Sequence, residues 1–205
     1  MPRPRFKKLD DDRRDTIMEA AARAFSADGY EGASINKILQ DAGLSKGVAY
    51  YYFEDKADLF ATTVEFYLQQ IDTNMRGRLH ALTADNFWEM MLTLYSEPFI
   101  ENMDAPYRFQ VLKVASQVSE TDPLWERIAP LVNMAFGWTF DLINKGREFG
   151  LVRTDMSDEL LFKFISAIDM VADEELLSQI DTLTRDEVYA FQAQVVDAIR
   201  RLLAP

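Results

Sequence analysis

The hydrophobic positions that follow Ser34 recur at helical spacing and then stop at a glycine. Apolar side chains occupy the i, i+3, i+4 and i+7 positions of one helix face: Ile35, Ile38, Leu39 and Ala42. This pattern predicts a short amphipathic helix with Ser34 as its N-cap and Gly43 at its end. Ser45 can cap a second helix of about eight residues, since its hydroxyl can accept from N–H groups that lack a helical partner.

The predicted second helix has two different faces. One side carries Ala49, Tyr52 and Phe53, which can pack on the apolar face of the preceding helix as a helix-turn-helix. The open side carries Lys46, Gly47, Tyr50 and Tyr51. Such a face suits a nucleic-acid backbone, because glycine allows close approach, free N–H groups and the helix dipole favour an anion, and tyrosine hydroxyls donate to phosphate. The alternative is that the tyrosines form an aromatic core segment and that the glycine marks an ordinary turn.

The sequence SKGVAYYYFEDKADL, which begins at Ser45, resembles the DNA-binding segment of the TetR (tetracycline-repressor) family. The common form of that segment is close to S-K-G-T-hydrophobic-Y-x-Y-F-x-[SD]-K-x-x-L. Two positions depart from it: Val48 replaces a frequent threonine, which removes a hydrogen bond to phosphate or base, and Ala49 is smaller than the usual leucine. The resemblance includes the preceding helix and covers residues 13 to about 68, and the rest of the chain matches no such motif.

The resemblance implies an N-terminal three-helix DNA-binding domain at residues 13–58 and a helical ligand-binding and dimerisation domain at residues 59–205. We expect the DNA contacts to come from Ser34, Lys37, Ser45, Lys46, Gly47, Val48, Tyr50, Tyr51 and Lys56. Lys56 stands in the first turn of the next helix, where a cation opposes the macrodipole unless a phosphate lies nearby. Otherwise it is a solvated charge.

The first eight residues are basic, although the chain as a whole has a formal net charge of −12. Their charges are Arg3, Arg5, Lys7 and Lys8, and two prolines discourage a helix. We therefore expect residues 1–12 to form a flexible basic arm that follows a DNA groove, or alternatively a disordered solubilising tail. The Debye length of about 8 Å at physiological salt screens this region from distant acidic residues.

The sequence after residue 55 predicts helices and no strands, so the fold class is all-α. A fourth helix, capped by Asp55 and reaching about His80, would connect the two domains. Further helices are expected at residues 86–102, 106–119, 123–147, 158–179 and 184–203, with a kink at Pro130, where a backbone donor is lost.

Large, adaptable apolar residues are dense between Phe87 and Phe140, and they outnumber what one helix face can hide. They form either a plain core or the lining of an apolar cavity for a small molecule. The candidate lining residues, with three polar residues that could orient a ligand, are Trp88, Met91, Tyr95, Phe99, Phe109, Gln117, Asn133, Phe136, Trp138 and Asp169.

The last two predicted helices each carry an apolar face. The resemblance implies that they pair with their copies in a second subunit as a four-helix bundle, which would give a homodimer. The same faces could instead pack within one chain.

These features predict a cytoplasmic DNA-binding regulator, most simply a repressor. It would bind an inverted-repeat operator in double-stranded DNA as a homodimer and be released by a small apolar or aromatic effector. A helical adaptor that no longer binds DNA is one alternative. An enzyme is another, disfavoured by a single histidine, the absence of cysteine and the lack of a nucleophile–base pair or metal-ligand spacing. We predict no cofactor, no metal and no membrane segment.

Overall fold

The computed structural model describes residues 2, 4–45 and 49–205, without the side chains of Ala49, Tyr50 and Asn74. These residues divide into two compact units. The first comprises Met1–Ile71 and Tyr107–Met134, and the second comprises Asp72–Pro106 and Ala135–Pro205. Over the described ranges the regular structure is entirely helical, which confirms the all-α prediction.

The helices, in chain order, are α1 (Asp11–Gly32), α2 (Ile35–Asp41), α3 (Ala49–Tyr52), α4 (Lys56–His80), α5 (Phe87–Glu101), α6 (Tyr107–Ser116), α7 (Trp125–Glu148), α8 (Asp158–Gln179) and α9 (Arg185–Leu203). Most bounds lie close to those predicted, and α7 continues through Pro130. Helix α6 ends earlier than expected, at Ser116, whose hydroxyl donates to the Lys113 carbonyl of the last turn.

In the first unit, α1 packs against α2 and α6. The apolar stripe of α1 is buried and includes Ile17, Met18 and Phe25. On the side of α6, the Tyr107 hydroxyl donates to the Glu19 carboxylate at 2.8 Å. The Ser26 hydroxyl donates to the Tyr107 carbonyl at 2.9 Å. Apolar burial and this polar clamp together hold α6 on the N-terminal helix.

The start of α4 is fixed by a reciprocal pair of side-chain caps. The Asp58 N–H donates to the Asp55 carboxylate at 2.7 Å, as expected of an N-cap, and the Glu54 N–H donates to the Asp58 carboxylate at 3.0 Å. Arg127 of α7 pairs with the other oxygen of Asp55 at 2.9 Å. The beginning of α4 is therefore tied to α7 within the first unit.

Part of the segment expected to be a flexible arm has regular structure. Phe6–Lys8 form a 3-10 helix, and the Phe6 side chain is only 3% exposed. Its ring centroid lies 4.8 Å from that of Phe53 and 6.3 Å from that of Tyr52. The difference from the expectation arises because an aromatic site buries Phe6, and charge and proline content alone do not show that site.

In the second unit, α9 packs against α5 and α8. The core contains Phe87 and Met91 of α5, Leu161 and Ile165 of α8 and Ile199 of α9. Side-chain caps start both of the last two helices. Ser157 accepts from the Leu160 N–H, and Thr184 forms a capping box with Glu187.

Gly146, in the last part of α7, lies against the chain that returns after the helix. The chain turns back after the helix, and the N–H groups of Leu151 and Val152 both donate to the Gly146 carbonyl. A methyl group at Gly146 would overlap a methyl of Val152 and lie 3.0 Å from the Phe87 ring. Only a hydrogen fits between the helix and the returning chain.

We therefore expect Gly146→Ala to lower the free energy of unfolding by about 1–3 kcal/mol, because the added methyl overpacks the core. Gly137→Ala, in the same helix, is the matched control: nothing lies within 4 Å of the added carbon, and alanine should stabilise the helix by about 0.5–1 kcal/mol. Urea unfolding followed by circular dichroism measures both. A Gly146→Ala protein as stable as Gly137→Ala would contradict this packing.

Candidate nucleic-acid interface and effector residues

The turn between α2 and α3 requires the glycine that the sequence places there. Gly43 has φ +70°, which is favourable for glycine and costly for other residues. This conformation lets the Leu44 N–H reach the Leu39 carbonyl at 2.7 Å and the Gly43 N–H reach the Gln40 carbonyl at 2.9 Å. The Arg13 guanidinium of α1 donates to the Gly43 carbonyl at 3.3 Å. The turn is thereby held against the first helix.

The side of the helix-turn-helix that was expected to pack is largely buried where the structure describes it. Ile38, Leu39 and Phe53 are completely buried, and Tyr52 is half-buried. Phe60 of α4 extends this core, with its ring centroid 4.8 Å from that of Phe25 and 5.2 Å from that of Tyr30. The aromatic contacts join α4 to α1 on the inner side and leave the outer side of the two short helices to solvent.

Four of the predicted DNA-contacting residues whose side chains the structure describes are exposed. Ser34, Lys37 and Ser45 are exposed, and Tyr51 is 45% exposed. Ser34 occupies the N-cap position of α2, but its hydroxyl makes no capping hydrogen bond. Four other predicted contacts lie outside the described residues or have undescribed side chains: Lys46, Gly47, Val48 and Tyr50.

Lys56 has structural partners in the first unit. Its ammonium donates to the Glu31 carbonyl at 2.9 Å and lies 4.6 Å from the centre of the Tyr30 ring. These contacts connect the first turn of α4 to the last turn of α1. The Glu31 carbonyl and the face of the Tyr30 ring thus offset the positive charge of Lys56, a role for which a phosphate was expected.

The sequence assigned Arg5 to a flexible basic arm and did not predict a fixed place for it on this surface. The guanidinium carbon of Arg5 lies 4.2 Å from the centre of the Tyr51 ring. The basic composition of residues 1–8 was the available signal, but the position of Arg5 depends on the burial of Phe6, which composition does not show.

The candidate effector residues divide between the two units. Those in the second unit are Trp88, Met91, Tyr95, Phe99, Phe136, Trp138 and Asp169. Those in the first unit are Phe109, Gln117 and Asn133. Gln117 and Asn133 were expected to lie among apolar neighbours, but both are exposed. Their amide groups lie on the solvent side of their segments.

A polar pair lies within the apolar second unit. The Tyr95 hydroxyl donates to the Asp169 carboxylate at 2.9 Å. Burial raises the pKa of Asp169 to about 7, opposed by the hydrogen bond from Tyr95, and the charge of Asp173 raises it further. Burial also raises the pKa of Tyr95 well above its ordinary value, with a contribution from the Asp169 charge. The pair can therefore present a neutral or a charged acid at near-neutral pH.

Aromatic groups of α7 and α8 meet in the same unit. The Phe162 ring lies 4.9 Å from both Phe136 and Phe140, edge-on to the first and stacked on the second. The Trp138 indole N–H donates to the Asp72 carboxylate at 3.0 Å. These residues provide the apolar and polar contacts expected of an effector site, and they also pack the unit.

Helices α8 and α9 expose apolar side chains. The large apolar residues exposed on them are Leu160, Phe164, Met170, Val171 and Tyr189. Val171 is 65% exposed. The opposite faces, with Leu161 and Ile165 on α8 and Ile199 on α9, are buried in the unit's own core. The two faces of α8 therefore differ: one packs within the chain, and the other is exposed to solvent.

Among the described residues, no group of three or more histidine, cysteine, aspartate or glutamate side chains is placed to hold a metal ion. In the same part of the chain, no helix combines the length and apolar character that a bilayer crossing requires.

Comparison with known proteins identifies the N-terminal segment. Residues 17–63 match the family model for bacterial regulatory proteins of the tetR family. The HTH-type transcriptional regulator YvdT of Bacillus subtilis is 33% identical over 84 residues, which cover 41% of this chain and 42% of YvdT. The chain thus matches about two fifths of the length of that relative.

Two other matches cover more of the chain. The HTH-type transcriptional repressor AcnR of Corynebacterium glutamicum is 25% identical over 163 residues, which are 76% of this chain and 77% of AcnR. The transcriptional regulator FadR of Bacillus subtilis, solved with stearoyl-CoA, superposes with a TM-score of 0.73. That match covers 90% of this chain and 96% of FadR at 16% identity, so the likeness concerns the fold.

The sequence match falls on the helices that carry the glycine turn and the exposed tyrosine, and the structural match extends the same fold over both units. Residues 17–63 therefore match the tetR family of bacterial regulatory proteins, and the chain as a whole shares the fold of FadR.

Proposed function

We propose that this protein is a DNA-binding transcriptional regulator, most simply a repressor, that binds an inverted-repeat operator as a homodimer and responds to a small-molecule effector. The observation that carries the proposal is the sidedness of the helix-turn-helix: Ile38, Leu39 and Phe53 are buried, whereas Ser34, Lys37 and Tyr51 are exposed. A regulator that binds chromosomal DNA in a bacterium acts in the cytoplasm, so we assign the protein to that compartment.

The proposed DNA-binding portion is residues 13–58. Exposed hydroxyl and ammonium groups on the outer side are suited to phosphate oxygens, which receive half or more of protein–DNA hydrogen bonds. Lys46 and Gly47, which precede α3 in the sequence, and the hydroxyls of Tyr50 and Tyr51 are assigned to the same surface. Phosphate contacts fix the register, and a side chain in the major groove then reads base edges.

The proposed dimer uses the open face of α8 and α9. Val171 and Phe164 of α8 and Tyr189 of α9 would be removed from water in a four-helix bundle with their copies. A two-fold axis matches the symmetry of an inverted repeat, whose half-sites lie about one helical turn, roughly 34 Å, apart. The assembly would position two DNA-binding units on one duplex.

The proposed effector is a small apolar or aromatic molecule held in the C-terminal portion, at residues 59–205. Trp88, Phe136 and Trp138 offer aromatic surface, and Tyr95 with Asp169 offers a hydroxyl and a carboxyl group. The complex of FadR with stearoyl-CoA supports an effector site in a protein of this fold. An effector that binds one spacing of the DNA-binding units better than another by about 1–3 kcal/mol would change operator affinity about 5–150-fold.

The operator is tested first by selection from a pool of random duplexes with the full chain. We expect an inverted repeat, and we expect affinity for it to fall with salt because Lys and Arg displace counterions. Lys46→Ala combined with Tyr51→Ala should weaken binding by on the order of 100-fold, since both lose phosphate contacts.

Lys145→Ala is the matched control, because it removes a half-exposed lysine of α7 in the second unit. It should bind the selected operator with wild-type affinity. Selection of no specific sequence, or wild-type binding by the double variant, would contradict the proposed function.

The dimer is tested by Val171→Asp. A carboxylate at this exposed position would be buried twice in the two-fold interface, at a cost of several kcal/mol per ion. Sedimentation velocity at micromolar protein should show a monomer, and operator affinity should fall with it. Ala84→Asp adds the same charge at an exposed position before α5 and should leave the dimer intact. A dimeric Val171→Asp protein would place the interface elsewhere.

The raised pKa of Asp169 predicts how the free energy of unfolding depends on pH. The pKa of this carboxyl is about 7 in the folded protein and about 3.9 in an unfolded chain. Well below pH 3.9 both states are protonated, so the carboxyl does not lower the free energy of unfolding there. As pH rises toward 7 the unfolded chain loses its proton first, so stability falls, by up to about 4 kcal/mol above pH 7.

Asp169→Asn keeps an acceptor for Tyr95 and removes this charge. Its stability relative to wild type should therefore be near zero at pH 4 and should increase up to pH 8 in urea unfolding. Asp181→Asn, at an exposed position after α8, should show no such trend. A flat difference for Asp169→Asn would show that the carboxyl is ionised at little cost.

A further inference from the structure

The N-terminal turn Arg5–Lys8, here called the basic turn, has a fixed place on the first unit. Its one apolar residue, Phe6, is buried against Phe53, which follows α3, and against Tyr52 in α3 itself. Backbone hydrogen bonds from the Lys8 N–H to the Arg5 carbonyl and from the Leu9 N–H to the Phe6 carbonyl close the turn. A solubilising tail would not need such an anchor.

The anchor places a cation beside the exposed tyrosine. The Arg5 guanidinium stacks on the Tyr51 ring with its carbon 4.2 Å from the ring centre. Among the residues that the structure describes, no hydrogen bond or ion pair to the Arg5 side chain is formed. Stacking occupies the face of a guanidinium and leaves its N–H edge available, and this edge matches the oxygens of a phosphate in pairs.

The local charge also favours an anion. Lys7 and Lys8 are exposed on the same turn. Two of the three neighbouring acids are engaged with α1: Asp10 accepts from the Arg13 N–H at 2.8 Å, and Asp11 pairs with Arg14, whereas Asp12 is exposed. The basic turn itself carries three positive charges in a chain of net charge −12, next to the surface proposed to meet DNA.

We propose that the basic turn is a fixed part of the DNA-binding surface, in which Phe6 anchors the turn and Arg5 binds a backbone phosphate beside Tyr51. The inference rests on the proposed function and adds a contact outside the helix-turn-helix. Because Arg5 is already held in place in the free protein, binding does not have to order a mobile arm, and less affinity is lost to conformational entropy.

The test measures affinity for the selected operator duplex as a function of salt, with full-length variants. Arg5→Ala should weaken binding on the order of tenfold and reduce the salt slope by about one, equally for operator and unrelated duplexes, as expected for one phosphate contact. Lys145→Ala, which also removes one positive charge, should leave affinity and slope unchanged. Unchanged binding by Arg5→Ala would overturn the proposal.

Phe6→Ala separates a fixed turn from a mobile one, because it keeps every charge. We expect it to lose about as much affinity as Arg5→Ala, and we expect the double variant to be no weaker than either single variant, since the two residues act as one unit. Phe6→Leu preserves apolar burial and should restore most of the affinity. A folded Phe6→Ala protein with wild-type affinity would mean that Arg5 acts from a mobile arm, which overturns the fixed turn.

Arg5→Lys also tests whether Arg5 acts from a fixed, stacked position, and it leaves the core unchanged. Lysine keeps the charge but lacks the planar group that stacks and binds phosphate in pairs, so affinity should fall below wild type with nearly the wild-type slope. Wild-type affinity for Arg5→Lys would leave only a charge effect and contradict the assigned geometry.

These outcomes are distinct from failure of the proposed function. If the wild-type protein selects no operator, the regulator proposal fails. The basic turn is then judged on an unrelated duplex, where Arg5→Ala should still lower the salt slope relative to Lys145→Ala.

Discussion

Helices as short as α2 and α3 keep their shape because residues within α2 and directly after α3 are buried. An isolated helix of this length is marginal in water, since nucleation fixes several residues for few hydrogen bonds. Here Ile38, Leu39 and Phe53 are fully buried, and the Phe25, Tyr30 and Phe60 rings join the same unit. This burial directs the polar side of the motif outward, and the proposed DNA contact depends on that direction.

The same core explains how an acidic chain would offer the proposed surface for a polyanion. Phe6 uses the aromatic site at Tyr52 and Phe53 and brings Arg5 onto Tyr51. Apolar packing thus places the positive charge, and screening over about 8 Å limits the influence of distant acids. Lys56 shows the converse case, because its ammonium is held by the Glu31 carbonyl and the Tyr30 ring.

The second unit combines a packed core with two features that a core alone does not require. The Tyr95–Asp169 pair keeps a carboxyl in apolar surroundings, where burial raises its pKa to about 7. The open face of α8, with Phe164 and Val171, leaves apolar area in water that packing within the unit does not cover. The first feature suits recognition of a small molecule and the second suits a second subunit, and both extend the roles proposed for this portion.

The sequence by itself determined which segments are helical and that Ile38, Leu39 and Phe53 are buried, since periodicity, caps and Gly43 are local signals that act over a few residues. Ser157 and Thr184 cap the helices predicted to begin there, and Asp55 caps α4. Only the tertiary structure decided that Phe6 is anchored, that Lys56 is tied to α1, and that Gln117 and Asn133 face solvent. Those outcomes depend on which distant side chains meet, and one-dimensional spacing carries no information about contacts between residues far apart in the chain.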